Sequence, residues 1–246
     1  MDAEIQTQLE HWLPGWTIFV SAAQNRDGSE APGTGGMVLA FCPQLSLVAT
    51  FANTVLVHGR CIGTKISYRD KILTVVNIHN YGLSPTEIHR IGNYLSESAQ
   101  NVSISPVNQF SIFVGDLNIK AEDEKCFKAG RNLEGILARS ASNPVFSGPH
   151  HNLWAPILSD WTELVQPFPT RYDPVSKTCS RIDRAFVFCP ASMLLKLQTN
   201  TFVQSSPEDF YADEHSDHAP WRYANMLVPI CSRLALQTGT TYRMVG

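Results

Sequence analysis

The sequence predicts an α/β protein, and three observations carry that prediction. Apolar, β-branched runs recur along the chain, as in "TIFV", "MVLAF" and "FSIFV", which is the pattern of strands buried on one or both faces. A strongly signalled helix, "SPTEIHRIGNYLSESA", stands between two such runs, giving the order strand, helix, strand. The chain of 246 residues is 43% hydrophobic, 17% charged and 10% aromatic, values that suit one globular domain. A chain of this size buries roughly 70 to 75% of its unfolded surface.

The elements follow in order. Ile5, Leu9, Trp12 and Leu13 recur at helical spacing until "PG" stops them. "WTIFVSAA", residues 16 to 23, then reads as a strand. "QNRDGSEAPGTGG", residues 24 to 36, is rich in Gly, Pro and polar side chains and reads as a surface loop before the strand "MVLAF". Gly33, Gly35 and Gly36 form neither a GxGxxG nor a P-loop, so no phosphate cradle is assigned there. "TVLVHGRCIGTKI" and "KILTVVNIHN" have the character of packed antiparallel or mixed strands. Ser84 is placed as an N-cap, Pro85 at the first helical position and Glu87 three residues after the cap, completing a capping box. Ile88, Ile91 and Leu95 then form the buried stripe.

Residues 110 to 114 make the next strand, and a short helix is expected around residues 133 to 139. "WAPILSDWTEL" is expected to be a helix with Trp154, Leu158, Trp161 and Val165 on one side; that spacing favours core packing of the two tryptophans over stacking on bases. "RIDRAFVF", "LQTNTFV" and "NMLVPI" complete the strands. No repeat and no low-complexity linker interrupts them.

Composition bounds function. No apolar run of about 18 residues spans a bilayer, and the acidic, amphipathic start "MDAEIQTQLEHWLPGW" is not a secretory signal. Cys42, Cys61, Cys126, Cys179, Cys189 and Cys231 are scattered and form no CxxC pair, which argues against a zinc module and for reduced thiols in an intracellular compartment, nuclear or cytoplasmic. A net charge of −3 gives no bulk attraction to nucleic acid, so a polyanionic partner would need local basic residues or a metal.

Within "FSIFVGDLNIK" an apolar run ends abruptly in Asp116 and Asn118. Residues two apart on an extended chain point the same way, so the pair can present a carboxylate and an amide at the lip of a sheet; "GDLN" is equally the composition of a plain turn. Three more polar clusters edge β-like runs: Asn77, His79 and Asn80 in "VVNIHN", Asp183 in "CSRIDRAFVF", and Asp217 and His218 in "EHSDHAP". Phosphodiester hydrolysis needs an activated water, a cation over the phosphoryl oxygens and help for the leaving oxygen. Magnesium is met by one or two carboxylates plus water and substrate, and Asp183 can hold one tautomer of His218 as carboxylate-histidine pairs do. Arg171, Lys177, Arg181 and Arg184 are the nearby basic residues for phosphate contact.

"NIHN", "GDLN", "SRIDRAF" and "SDHAP", in that order, resemble the motifs of the endonuclease/exonuclease/phosphatase (DNase I-like) superfamily, from residue 16 to about residue 230. "WTEL", "PTRYDP" and "SRIDR" resemble most the endonuclease domains of non-LTR retrotransposons. The resemblance implies a four-layered α/β sandwich of two packed mixed sheets flanked by helices, with the site where strand-end loops converge. It further implies a hydrolase using Mg²⁺ (or Mn²⁺), with DNA as partner and no membrane. On that pattern Asp116 orients the attacking water, Asn118 holds a phosphate oxygen, Asp183 orients His218, Asp217 faces the metal, His79 assists the leaving group and Arg181 meets substrate phosphate. The family pattern also has an N-terminal strand with Asn and a strand ending in a metal-binding Glu. Neither stands here, so the sequence reads as N-terminally truncated by a strand pair, with activity in doubt. A phosphatase or phospholipase-type hydrolase of the same superfamily, or a non-catalytic remnant, are the alternatives.

Overall fold

A computed structural model describes residues 2–25, 28, 29, 31, 36–105, 108–121, 127, 128, 146–164, 169–176, 178–190, 201–203 and 221–223. Its first element is helix α1 (Asp2–Trp12), which runs into strand β1 (Thr17–Ala22) and lies along it. β1 pairs antiparallel with β2 (Gly36–Phe41). A one-turn helix α2 (Pro43–Ser46) leads to the hairpin of β3 (Thr50–Val57) and β4 (Cys61–Tyr68), followed by β5 (Lys71–His79). The sequence read "TVLVHGRCIGTKI" as one β-rich run; Gly59 at φ +62° breaks it into two strands, a conformation that glycine adopts without penalty. A Cβ there would lie 2.3 Å from the Cα of Ala23, so the turn also sits hard against the end of β1.

The helix α3 (Pro85–Ile104) follows, and it begins as its sequence dictates. Ser84 Oγ accepts from the Glu87 N–H while the Glu87 carboxylate accepts from the Ser84 N–H, a complete capping box. Ile88, Ile91 and Leu95 are fully buried. α3 is the crossover that brings β6 (Gln109–Asp116) parallel to β5, a connection that parallel neighbours require. Short strands come next: β7 (Lys120–Ala121), β8 (Phe127–Lys128) and β9 (Phe146–Ser147). Helix α4 (His151–Leu158) precedes β10 (Thr162–Glu163), β11 (Arg171–Asp173), β12 (Thr178–Ser180), β13 (Asp183–Phe188), β14 (Thr201–Val203) and β15 (Trp221–Tyr223).

Six strands form the main sheet in the order β10-β13-β6-β5-β4-β3, antiparallel except for the β5–β6 pair. Strand alternation gives it two apolar faces. One carries Ile62, Ile66, Leu73, Val75, Ile112, Val114, Ala185 and Val187, which pack on Met37, Leu39 and Phe41 of β2. The other carries Val76, Ile78, Phe113 and Phe186, which pack on Ile88, Ile91 and Leu95 of α3 and on Trp154 and Leu158 of α4. The architecture is therefore an α/β sandwich of four layers: α3 with α4, the six-stranded sheet, the β1–β2 sheet, and α1. Neither strand count nor layer order could be read from the apolar runs, because each run is compatible with either sheet.

One sequence expectation needs correction. Residues 154–165 were expected to be one helix, but α4 stops at Leu158 and Thr162–Glu163 pairs with Val187 and Phe186 as the sheet's edge. Pro156 lies inside α4 and cannot donate to the residue four before it, which weakens the helix, while the edge of β13 offers the following residues a ladder. Trp154 and Trp161 are core residues as the spacing suggested, 0% and 8% exposed, and Trp154 stacks on Phe113 with ring centroids 5.6 Å apart. The helix expected at residues 133–139, the strand "NMLVPI", Val165 and Lys177 lie outside the described residues. Among the described residues no helix is long and apolar enough to cross a membrane. Cys42, Cys61, Cys179 and Cys189 are free thiols.

Candidate active site

Register brings three of the expected site residues to one end of the main sheet. His79 ends β5 and is the partner of Asp116 at the end of β6, and Asp116 is in turn the partner of Asp183 at the start of β13. Paired residues point to the same face, and the alternation of Val114 and Ala185 puts that face on the side of the β1–β2 sheet. The mouth is completed by the turn between β3 and β4. Its Arg60 carbonyl accepts from the His79 N–H at 2.8 Å, and its Gly59 N–H donates to Ser21 Oγ at 2.9 Å.

Asp116 and Asn118 meet in a way that the extended-chain reading did not give. Asn118 is left-handed, with φ +51°, so the chain turns rather than continuing straight. Its backbone N–H donates to Asp116 Oδ1 at 2.9 Å and its Nδ2 donates to Oδ2 at 3.1 Å. Asparagine is one of the few side chains that enters this region readily, because its short polar group bonds locally. "GDLN" is thus a turn and a strand-end polar pair at once: the amide folds back and fixes the carboxylate's orientation. Within the turn the Leu117 N–H donates to the Ile182 carbonyl at 3.0 Å, and Asn80 Nδ2 donates to the Leu117 carbonyl at 2.6 Å.

His79 lies between two charges. Its Nε2 is 3.8 Å from Asp116 Oδ2, and its Nδ1 is 2.9 Å from Arg60 Nη1. The Tyr81 ring stacks beside it, with centroids 6.1 Å apart, and the Arg60 guanidinium lies 5.6 Å from the Tyr81 centroid. Burial lowers the Arg60 pKa, an effect that Tyr81 and Glu87 oppose; the guanidinium remains a cation at any physiological pH. Asp183 is 5% exposed and its N–H donates to Thr170 Oγ1 at 3.1 Å.

Asp217 and His218 lie outside the described residues. Asn77 is buried and its Nδ2 reaches the Val38 carbonyl at 3.4 Å, tying β5 to β2. Arg181 is only 12% exposed, and its Nη2 is 3.6 Å from Glu163 Oε1. Arg184, read from sequence as a phosphate-contacting residue, is 1% exposed and is corrected here: the residue after Asp183 on an extended strand must point to the opposite face. Its Nη1 donates to Glu163 Oε1 at 2.7 Å and its Nε to the Ile119 carbonyl at 3.1 Å. Sequence reading missed Arg60 and Thr170. "HG" before Arg60 signals a turn, but nothing in the chain order shows which strand end that turn abuts.

Among the described residues no group of three or more His, Cys, Asp or Glu side chains is arranged to hold a metal ion. What they do supply is two carboxylates, Asp116 and Asp183, on directly paired positions. Carboxylates are the hard oxygen donors that suit magnesium.

No protein-family model matches this chain, and no curated protein sequence matches it. Solved structures do. The endonuclease domain of TRAS1, a telomere-specific non-LTR retrotransposon, is similar at 19% identity over 73% of this chain and 67% of that one, with a TM-score of 0.38. An AP endonuclease from Archaeoglobus fulgidus is similar at 14% identity over 89% of this chain and 80% of that one, with a TM-score of 0.44. An endonuclease/exonuclease/phosphatase from Bacteroides vulgatus is similar at 12% identity over 76% and 70%, with a TM-score of 0.44.

Proposed function

We propose that the chain is a phosphodiester-cleaving hydrolase, a Mg²⁺-assisted DNA endonuclease of the retrotransposon type. The observation that carries this reading is the meeting of His79, Asp116 and Asp183 on adjacent strands at one sheet end, with Asn118 folded on to Asp116. A bound magnesium ion would supply charge neutralisation at the phosphoryl oxygens. Asp217 is its proposed ligand, with the carboxylates of Asp116 and Asp183 lending negative charge around it.

Asp116 then serves as the acceptor that orients an attacking water, its own orientation fixed by the Asn118 turn. Asn118 Nδ2 carries two N–H bonds; one is spent on Asp116, and the second suits a phosphoryl oxygen. Asp183, held by Thr170, suits the task of fixing the tautomer of His218. Arg181 is left out of the substrate contacts, because its guanidinium is turned towards Glu163.

Supercoiled plasmid incubated with the purified protein and Mg²⁺ tests the proposal. Nicking is expected, with a loss of about 10²-fold or more in Asp116→Asn, Asp183→Asn and His218→Ala, and complete loss in EDTA. Release of phosphate from a monoester without nicking would reassign the site to a phosphatase. A folded protein that cleaves neither substrate would make it a binding scaffold.

A further inference from the structure

We propose that Arg60 is a positioning residue that holds His79 as the neutral Nε2–H tautomer, making His79 a fixed hydrogen-bond donor at the mouth of the site. The inference deepens the reading of that mouth as a phosphodiester site and rests on it for its significance, though its geometry does not.

Arginine has five N–H donors and no acceptor, and it is not deprotonated in proteins. A guanidinium nitrogen 2.9 Å from His79 Nδ1 is therefore compatible with one role for that ring nitrogen, the acceptor. An imidazole whose Nδ1 accepts carries its proton on Nε2. That nitrogen faces Asp116 Oδ2 at 3.8 Å, which is longer than a hydrogen bond but an acceptor-only neighbour. Both sides of the ring thus ask for the same tautomer.

Arg60 is itself held. Its N–H donates to the Val57 carbonyl within the β3–β4 turn, its carbonyl accepts from the His79 N–H, and its guanidinium lies against the Tyr81 ring. Among the described residues, the groups that face His79 are Arg60 from that turn, Tyr81 from the segment after β5, and Asp116 from β6; Glu87 at the start of α3 acts on Arg60. None of the first three but Asp116 is negative at neutral pH, and it lies on the Nε2 side. The pattern differs from a carboxylate-histidine pair, where the acceptor sits on Nδ1 and prepares the ring to become an imidazolium. With a cation on Nδ1, the ring is prepared to donate from Nε2 to Asp116 or to a phosphoryl oxygen.

The test is a long-range ¹H–¹⁵N correlation spectrum of the histidine side chains at neutral pH, with the His79 signals assigned from a His79→Gln spectrum. The expected result is an unprotonated Nδ1 and a protonated Nε2 in the wild type. Arg60→Gln, whose amide can donate or accept, is expected to mix the two tautomers, and Arg60→Lys, donor only, to restore the wild-type pattern. A protonated Nδ1 in the wild type, or a tautomer unchanged in a folded Arg60→Gln, overturns the inference. The ring signature needs no turnover: a wild type that fails to nick plasmid but shows the expected tautomer would sink the proposed function and leave the assignment of Arg60 standing.

Discussion

At Gly115 the backbone φ is +141°, and a Cβ built there would lie 2.0 Å from the Ile78 carbonyl oxygen. Two penalties therefore coincide at the residue that releases β6 into the Asp116 turn. A side chain would be strained whatever the space, and the space is filled by the backbone of β5, which has no freedom to move away. Gly115→Ala is expected to destabilise the fold by at least about 2 kcal/mol, read as a lowered midpoint in urea denaturation with an unchanged slope. The same four residues show what a sequence can and cannot disclose. An apolar run ending in "GDLN" was legible as a strand end with a polar pair, because residue type and alternation carry that information. The folding back of Asn118 on to Asp116 was not, since the sign of φ at 118 leaves no trace in a two-residue period. Arg60 lay further out of reach: its partner His79 is on another strand, and only register joins them.

Helix α3 is the element whose local chemistry agrees with its tertiary role at every level. Ser84 and Glu87 close the capping box with bonds of 3.3 Å and 2.7 Å, Pro85 pre-sets the first turn, and Ile88, Ile91 and Leu95 turn to the sheet. Ser84→Ala is expected to cost about 1 kcal/mol and Ser84→Asp to recover most of it, both measured by thermal unfolding followed by circular dichroism. Because α3 sets the parallel pairing of β5 with β6, loosening its start is also expected to raise amide hydrogen exchange at the His79–Asp116 end before the rest of the sheet. Start signals such as these are written in a few adjacent residues, which is why α3 was legible. The end of α4 was not: whether "WTEL" continues a helix or forms an edge strand depends on the free edge of β13, a feature supplied by residues later in the chain.

Across the whole molecule, the buried Arg184 connects three parts that no local pattern links. Its guanidinium joins Glu163 on edge strand β10 to the Ile119 carbonyl in the chain leaving the Asp116 turn, while its own strand carries Asp183 to the mouth. Sequence reading grouped it with surface cations because four basic residues cluster there; the α3–α4 layer that covers its face is built by residues tens of positions earlier, so its burial belongs to the assembled sandwich. A buried ion pair is a poor source of net stability, yet losing one partner strands a charge. Glu163→Ala, which removes the carboxylate 2.7 Å from Arg184 Nη1 and 3.6 Å from Arg181 Nη2, is expected to cost about 3 to 5 kcal/mol. Replacing both partners by apolar side chains of similar volume, as in Arg184→Met with Glu163→Leu, is expected to restore most of that stability, measured by urea denaturation of the two variants beside the wild type. The double variant separates the two tasks of the pair. If it regains stability but loses plasmid nicking, the bond from Arg184 Nε to Ile119 is what keeps the turn after Asp116 in place for reaction; if nicking returns with stability, the pair only balances charge within the core.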